Sequence, residues 1–164
     1  MDIKISWEDL SRKIYLNRLP KKRMGAGCLF FDEQGKMLIL KPTYKNHWLL
    51  PGGVIENNES PRQACIREVK EEIGLDCQPI RLLCVDYVSD RIHQIESVQF
   101  VFLGEIISHE TQIYLPEAEI STYQFLEPSI ALSMLGLRSQ IRLEQCLAHL
   151  DDRIVIYLEN GKQP

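Results

Sequence analysis

Three glutamates at helical spacing follow a pair of glycines, and they are the side chains of this chain best suited to chemistry. Residues three and four apart share one face of a helix, so Glu68, Glu71 and Glu72 should project within one arc. Two carboxylates about 5–6 Å apart repel by roughly 3 kcal/mol at an effective dielectric of about 20. A bound hard cation removes that repulsion, and oxygen ligands suit Mg²⁺ or Mn²⁺. The pattern therefore predicts a site for Mg²⁺ or Mn²⁺ on this face.

The segment that carries these acids has the end signals of a helix. Ser60 is a suitable N-cap, Pro61 suits the first helical position, and Gly74 suits a terminator. Aliphatic residues fall on another face, which predicts packing on a core: Ile66, Val69 and Ile73. A solvated acidic helix face is the alternative, and the residues around the helix decide between the two.

Those surrounding residues resemble a known family signature. Gly53 is followed after five residues by Glu59, and after seven more by the run from Arg67 to Leu75. The spacing resembles the full Nudix box, G-x5-E-x7-R-E-U-x-E-E-x-G-U, in which U is aliphatic, and every fixed position matches. The resemblance implies an α+β fold, a Nudix-type α/β/α sandwich with a mixed β-sheet between helices.

The residues of the box divide into expected metal ligands and supporting groups. The ligands would be oxygen donors: the Gly52 carbonyl and the side chains of Glu68, Glu71 and Glu72. Arg67 lies one turn before Glu71, and its planar fork can hold a carboxylate and fix its rotamer. Three further box residues are expected to be structural: Gly53, Glu59 and Gly74.

The resemblance also implies a reaction, the hydrolysis of a diphosphate bond in a nucleoside diphosphate linked to another group. Water would attack phosphorus with the help of a general base. Family members take this base from the box, here Glu68, or from a later loop, here Glu110, Glu117 or Glu119. Among the loop acids, Glu117 and Glu119 are favoured because they lie just before a predicted strand. The expected catalytic set is Glu68, Glu71, Arg67 and Glu119.

The resemblance does not define the substrate. The second signatures of the ADP-ribose, diadenosine polyphosphate, NADH and coenzyme A subfamilies are missing near the box, so a nucleotide or nucleotide-sugar pyrophosphatase of undefined specificity is expected. The substrate-binding residues are unassigned. The basic run from Lys21 to Arg23 is either a solvated strand entry or a phosphate contact. The alternative function is a regulatory Nudix domain that binds nucleotides without hydrolysis, although such domains commonly lose box acids that this chain retains.

Size and composition set further limits. A chain of 164 residues predicts one domain over residues 1–164. The net charge of −4 argues against a general nucleic-acid binder. Five cysteines without a C-x-x-C pair predict reduced, buried thiols and a cytoplasmic location. The sequence shows no signal-peptide pattern and no apolar run of membrane-spanning length, so no membrane partner is expected.

Helix and strand patterns mix without regular alternation, which also favours an α+β fold. An N-terminal helix is expected over about 6–16. Strands are expected over 25–31, 37–40, 48–50, 80–88, 98–107, 123–126 and 154–158. A C-terminal helical extension over about 128–150 should pack on the sheet or against a second subunit, which leaves a homodimer open.

Overall fold

The computed structural model of the chain describes residues 7–90, 92, 95–116 and 118–164. Its helices are α1 (Trp7–Arg18), α2 (Pro61–Ile73), α3 (Pro128–Met134) and α4 (Leu137–Ala148). Its strands are β1 (Arg23–Leu29), β2 (Met37–Pro42), β3 (Gly52–Val54), β4 (Arg81–Asp90), β5 (Ile95–Leu103), β6 (Ile120–Leu126) and β7 (Ile156–Glu159). A 3-10 turn over Leu150–Asp152 lies between α4 and β7.

Five of these strands form one mixed sheet in the order β3-β1-β5-β4-β7. The β1–β5 and β4–β7 pairs are parallel, whereas the β1–β3 and β4–β5 pairs are antiparallel. The two remaining strands, β2 and β6, form a separate antiparallel ladder. The mixed sheet with its helices confirms the expected α+β class.

The core is divided into two clusters because alternate residues of a strand point to opposite faces of the sheet. On β5, Phe102 joins a cluster that includes Val69 and Ile73 of α2. Its neighbour Val101 joins a second cluster that includes Leu143 of α4 and Ala131 of α3. Helices therefore cover both faces of the sheet, as the α/β/α expectation requires.

Helix α2 begins and ends where its sequence predicts. The Ser60 hydroxyl accepts a hydrogen bond from the Gln63 N–H at 3.2 Å, and the Gln63 side chain accepts one from the Ser60 N–H at 2.9 Å. This reciprocal pair satisfies two of the free N–H groups at the helix start. At the other end Gly74 has a φ of 73°, and its N–H donates to the Lys70 carbonyl. A left-handed glycine of this kind terminates a helix.

The hairpin of β4 and β5 departs from the expected boundaries. The polar stretch over 89–97 was expected to be a connecting loop, but Asp90 pairs with Ile95, so both strands continue into it. β5 correspondingly ends at Leu103 rather than near residue 107. Polar side chains are compatible with a strand where they find partners, as Asp90 does in Arg138, so polarity alone does not mark a loop.

The C-terminal helical extension is two helices, and it packs on its own chain. A break at Leu135 and Gly136 separates α3 from α4. Helix α3 contacts β2 and β6, and α4 contacts β4 and α3. Both helices of the extension thus lie against strands of their own chain, and packing against a second subunit stays a prediction. The N-terminal helix is also present, as α1, although its expected first residue lies outside the described residues.

All five cysteines are buried free thiols, as their apolar surroundings predict. None of the helices in the described part of the chain is both long and apolar enough to cross a membrane.

Candidate active site

A glycine pair brings strand β3 against β1 and against the acidic helix. Gly52 has a φ of 147°, and a Cβ there would lie 2.3 Å from the Ala26 carbonyl oxygen. A Cβ on Gly53 would lie 2.4 Å from the carboxyl group of Glu68. Such distances exclude any larger side chain without movement of its neighbours. The glycines therefore allow the Glu68 carboxylate to lie directly on the β3 backbone.

Arg67 connects the box loop, the helix and strand β3. Its guanidinium donates to both carboxylate oxygens of Glu59, at 2.9 and 3.1 Å. Its Nη1 donates to Glu68 and to Glu71, each at 2.9 Å, and its Nη2 donates to the Val54 carbonyl at 3.0 Å. The sequence suggested a bidentate carboxylate partner for this arginine, and the structure places Glu59 in that position. Arg67 thereby fixes two of the expected metal ligands from one side.

The Glu59 carboxylate also stabilises the loop before the helix. It accepts a hydrogen bond from the Glu56 N–H at 2.9 Å. The hydrogen bonds from Arg67 and from this backbone N–H hold the pKa of Glu59 below its ordinary value. The same contact is the largest cause of the raised pKa of Arg67. Glu59 therefore occupies a place that suits the structural role expected of it.

Glu72 is the most buried acid of the box, with 7% of its surface exposed. Its Oε2 accepts a hydrogen bond from the Gly52 N–H at 2.7 Å. Burial raises the pKa of Glu72 to about 7 against the effect of this hydrogen bond, and the nearby charges of Glu68 and Glu119 raise it further. Lys45 acts in the opposite direction. Glu72 is thus a desolvated carboxyl group whose charged form a cation would stabilise.

The other two box glutamates differ in environment. The side chain of Glu68 is 15% exposed and that of Glu71 is 56% exposed. Burial is the main cause of the raised pKa of Glu68, which the Arg67 contact opposes. Within the described residues, no three His, Cys, Asp or Glu side chains already form a metal-binding cluster. Arg67 and the Gly52 N–H already hold one oxygen of each of Glu68, Glu71 and Glu72. The assignment of these acids as metal ligands therefore stays a prediction.

The loop before β6 brings one of its acids to the box. Glu119 lies close enough for its charge to raise the pKa of both Glu72 and Tyr44. Thr43 holds this loop: its N–H donates to the Glu119 carbonyl at 2.9 Å, and its hydroxyl donates to the Ala118 carbonyl at 2.9 Å. The loop thus holds Glu119 near Glu72, and its catalytic role stays a prediction.

Glu110 lies in a different part of the loop. Glu110 follows His109, whose Nδ1 lies 2.6 Å from a carboxylate oxygen of Glu33. This contact ties that part of the loop to the turn between β1 and β2. Glu117 lies outside the described residues.

Lys45 is a residue of the site that the sequence did not indicate. Its Nζ lies 5.2 Å from the centre of the Tyr44 ring, and its charge lowers the pKa of Glu72. Tyr44 is in turn close to Glu68, Glu72 and Glu119, whose charges raise its pKa after the larger effect of burial. A lysine in a polar loop carries no local signal, and only the folded chain brings it to the box acids.

A cleft of about 290 Å³ opens beside the glycine turn, between β1, β5 and α4. Backbone of the glycine-rich strands and apolar side chains form much of its surface, and several polar side chains enter it. The lining residues are Arg23, Met24, Gly25, Ala26, Gly27, Lys45, Leu49, Leu50, Gly52, Gly53, Val54, Gln99, Phe100, Val101, Ser139, Arg142 and Leu143. Gly52 and Gly53 border the cleft and also contact Glu72 and Glu68, whereas none of the box glutamates lines the cleft itself.

A comparison with models of protein families identifies the family of this chain. The model of the NUDIX domain matches residues 21–144. This chain belongs to the NUDIX family. The match includes the box, the cleft strands and the loop that carries Glu119, and it extends into α4. Hydrolases of this family generally use divalent metal ions.

Several known proteins resemble this NUDIX chain over part of its length. An RNA pyrophosphohydrolase from Hydrogenovibrio crunogenus is 38% identical over 61 residues, which are 37% of this chain and 37% of that protein. The 8-oxo-dGDP phosphatase NUDT18 of Danio rerio is 38% identical over 83 residues, which are 49% of this chain and 24% of that protein. The chain thus matches less than half of each of these relatives.

A solved structure supports the same fold. The MutT protein from Methanosarcina mazei Go1 superposes with a TM-score of 0.68 at 21% sequence identity. The superposition covers 81% of this NUDIX chain and 99% of that protein. At this identity the likeness establishes the fold of the chain.

Proposed function

We propose that this chain is a single NUDIX domain that hydrolyses a diphosphate bond in nucleoside diphosphate-linked substrates with the help of a divalent metal ion. The observation that carries the proposal is the contact of Glu68 and Glu72 with the glycine turn, which also borders a cleft large enough for part of a nucleotide. Glu71 is joined to Glu68 through Arg67. The names of its relatives include an RNA pyrophosphohydrolase and an 8-oxo-dGDP phosphatase, which supports the cleavage of diphosphate bonds.

The chemistry of the donor groups fits Mg²⁺ or Mn²⁺. Carboxylate and carbonyl oxygens are the ligands that these hard cations prefer, and we assign them to the three box glutamates and the Gly52 carbonyl. The desolvated Glu72 and its acidic neighbours gain the most from a nearby positive charge. When bound, the cation would neutralise charge on the diphosphate and lower the pKa of water. Glu71, the exposed member, can leave Arg67 and turn toward a ligand without exposing core.

The other side chains of the site have separate roles in the proposed reaction. Arg67 fixes the rotamers of the acids through its contact with Glu59. Glu119 or Glu68 accepts the proton of the attacking water, and Glu119 is our choice because Thr43 holds its loop beside Glu72. Lys45, in the loop after β2, provides a positive charge for the phosphates of the substrate. The nucleoside or its partner group occupies the cleft, where water is partly excluded.

The finer assignments are part of the same proposal. The reaction releases a nucleotide and a phosphorylated partner group from a nucleotide or a nucleotide sugar. The buried free thiols support a reducing, cytoplasmic location.

The direct test is product analysis on nucleoside triphosphates and nucleotide sugars with Mg²⁺ and with Mn²⁺, which measures release of the nucleotide together with pyrophosphate or a sugar phosphate. Glu71→Gln and Glu72→Gln should each lose at least about tenfold in activity while remaining folded, which corresponds to roughly 1.4 kcal/mol of transition-state stabilisation. The matched control is Glu144→Gln on α4, where Glu144 pairs with Gln140. Titration calorimetry of Mn²⁺ should show weaker binding to Glu72→Gln than to wild type.

Two results would contradict the proposal. Equal metal affinity in wild type and Glu72→Gln would remove Glu72 from the ligand set. Nucleotide binding without turnover of any substrate in the panel would instead support a regulatory domain that does not hydrolyse its ligand.

A further inference from the structure

The cleft contains a buried arginine that the box chemistry does not use. Arg142 of α4 lines the cleft with only 9% of its surface exposed. Its Nε donates to Asp86 Oδ2 of β4 at 2.7 Å. The Asp86 Oδ1 accepts a hydrogen bond from the Gly161 N–H at 2.9 Å. Both oxygens of the aspartate therefore have partners, which fixes its plane and the direction of the arginine.

The outer nitrogens of this arginine face the cleft. Among the described residues, the contact through Nε is the only side-chain hydrogen bond of Arg142. None of the buried side-chain nitrogens of the described residues lacks a hydrogen-bond partner, so Nη1 and Nη2 must reach solvent-accessible space. Because Arg142 is almost fully buried and lines the cleft, that space is the cleft. Its two outer N–H groups are a donor fork without an acceptor in the described structure.

The remaining polar groups of the cleft favour an anion. Two further cations, Arg23 and Lys45, line the same cleft, and Gln99 and Ser139 add neutral polar groups. None of the described lining residues carries a carboxylate, and Asp86 is not among them. A planar guanidinium matches the paired oxygens of a phosphate or carboxylate. A charge-assisted hydrogen bond is also stronger in a partly desolvated cleft than in water.

We propose that Arg142, held by Asp86, determines substrate specificity by binding an anionic oxygen group, a phosphate or a carboxylate, on the part of the substrate that lies in the cleft. The inference deepens the proposed function and rests on it. It defines the substrate class as nucleoside diphosphate derivatives with an additional anionic group besides the diphosphate. The diphosphate itself remains at the box acids of α2, and the second anion lies against α4.

The experiment compares pairs of compounds that differ in one anionic group. ADP-ribose is paired with ADP-ribose 2′-phosphate, and UDP-glucose with UDP-glucuronate, so that phosphate and carboxylate are tested separately. Binding to the full chain is measured by calorimetry in chelator, which makes the result independent of turnover. Wild type should bind the charged member of at least one pair about tenfold more tightly or better, as expected for a bidentate charge-assisted contact.

The variants separate the role of Arg142 from its structural contact. In Asp86→Asn/Arg142→Gln no buried charge is left unpaired, and the preference should fall to about twofold or less. Arg142→Lys keeps a charge for Asp86 but lacks the planar fork, and it should lose at least about threefold of the preference. Arg138→Gln is the control: Arg138 lies one turn earlier on α4, pairs with Asp90 of β4 at 2.9 Å and does not line the cleft. It should retain the preference of wild type.

The outcomes distinguish this inference from the proposed function. Equal binding of charged and neutral members by wild type, or an unchanged preference in both Arg142 variants, would overturn the anion site. Binding of GDP and ADP is measured as well. If the Arg142 variants change only the preference between these two nucleotides, Arg142 contacts the base and the anion site is overturned. If the preference depends on Arg142 but no compound is hydrolysed with Mg²⁺, the proposed hydrolysis fails and the anion site stands.

Discussion

The Glu72 carboxylate is costly to bury, and the same carboxylate is a proposed metal ligand. It lies against the β3 backbone, where its carboxylate accepts the Gly52 N–H and has little contact with water. One hydrogen bond does not offset that desolvation, so the pKa of the residue lies above its ordinary value. A charged Glu72 in the metal-free protein is therefore a source of instability that metal binding would remove.

This cost can be measured in chelator. The pKa of Glu72 rises from its ordinary value of 4.5 to about 7 on folding. The folded state thus binds the proton more tightly than the unfolded state, and the stability contributed by this group is present below pH 4.5 and lost as the pH rises through 7. Glutamine does not ionise, so the Glu72→Gln variant does not lose this stability as the pH rises. At pH 8 it should be more stable than wild type by at least about 1 kcal/mol, or about 2–4 °C in Tm.

Thermal unfolding at pH 4.5 and pH 8 provides the comparison. The difference between Glu72→Gln and wild type should shrink toward pH 4.5, where both side chains are neutral in the folded state. The exposed Glu144→Gln serves as the control and should match wild type at pH 8. A Glu72→Gln protein that melts well below wild type at pH 8 would show instead that the carboxylate is needed for folding.

At the scale of elements, two loops are joined opposite the box helix. Thr43, just beyond β2, donates to the backbone of residues 118 and 119, just before β6. The β2–β6 ladder continues into this contact, so the two loops are fixed relative to each other by paired strands. The charges of Lys45 from one loop and Glu119 from the other both act on Glu72: Glu119 raises its pKa and Lys45 lowers it. The ladder, although separate from the main sheet, therefore supplies the second side of the site.

The identity of the general base is a prediction at this scale. Glu119→Gln should lower kcat at saturating metal by about 10²-fold or more, within the usual range for a general base, with metal affinity unchanged. Glu110→Gln is the matched control, because its loop segment is held at the β1–β2 turn by His109 and Glu33. Glu117→Gln and Glu68→Gln complete the series. If both Glu117→Gln and Glu119→Gln retain full kcat and Glu68→Gln abolishes it, the base is the box glutamate.

At the scale of the whole molecule, the C-terminal turn joins elements that are distant in sequence. Gly161 packs on α4, where a Cβ would lie 2.8 Å from the Cγ2 of Ile141. Its N–H also donates to Asp86 of β4, and β4 pairs with β7 just before this turn. The last residues of the chain thus belong to the same packed unit as the sheet and the cleft helix. The single domain over residues 1–164 stays a prediction.

The single-domain proposal can be tested with two glycines of almost the same conformation. Gly35 has a φ of 79° with open space where a Cβ would lie, whereas Gly161 has a φ of 80° and a close neighbour. Both alanine variants carry backbone strain of about 1–2 kcal/mol, but only Gly161→Ala adds steric overlap. It should melt lower than Gly35→Ala in calorimetry, with one transition whose calorimetric and van't Hoff enthalpies agree. A separate early transition confined to Gly161→Ala would show that the C-terminus folds independently.

The features that depend on local spacing are predictable from the sequence alone. The ends of α2 follow from Ser60, Pro61 and Gly74, because capping involves residues only a few positions apart. The Nudix box is a contiguous pattern, and it indicated the family and the α+β class. The burial of the five cysteines also follows from their apolar neighbours. The roles of the box acids remain predictions, although the fold places them together.

Tertiary structure decided how residues distant in sequence come together around the box and the cleft. Asp86 and Arg142 form a buried ion pair across 56 positions, yet each resembles an ordinary polar residue of a strand or helix. Lys45 and Glu119 come from loops whose relative position depends on the pairing of β2 with β6. Partner choice across such separations is set by sheet register and packing, which no local window contains. For this reason the sequence predicted a metal site, a reaction class and Glu119 as a candidate base, while the fold supplied the cleft, Lys45 and the pairing of Arg142 with Asp86.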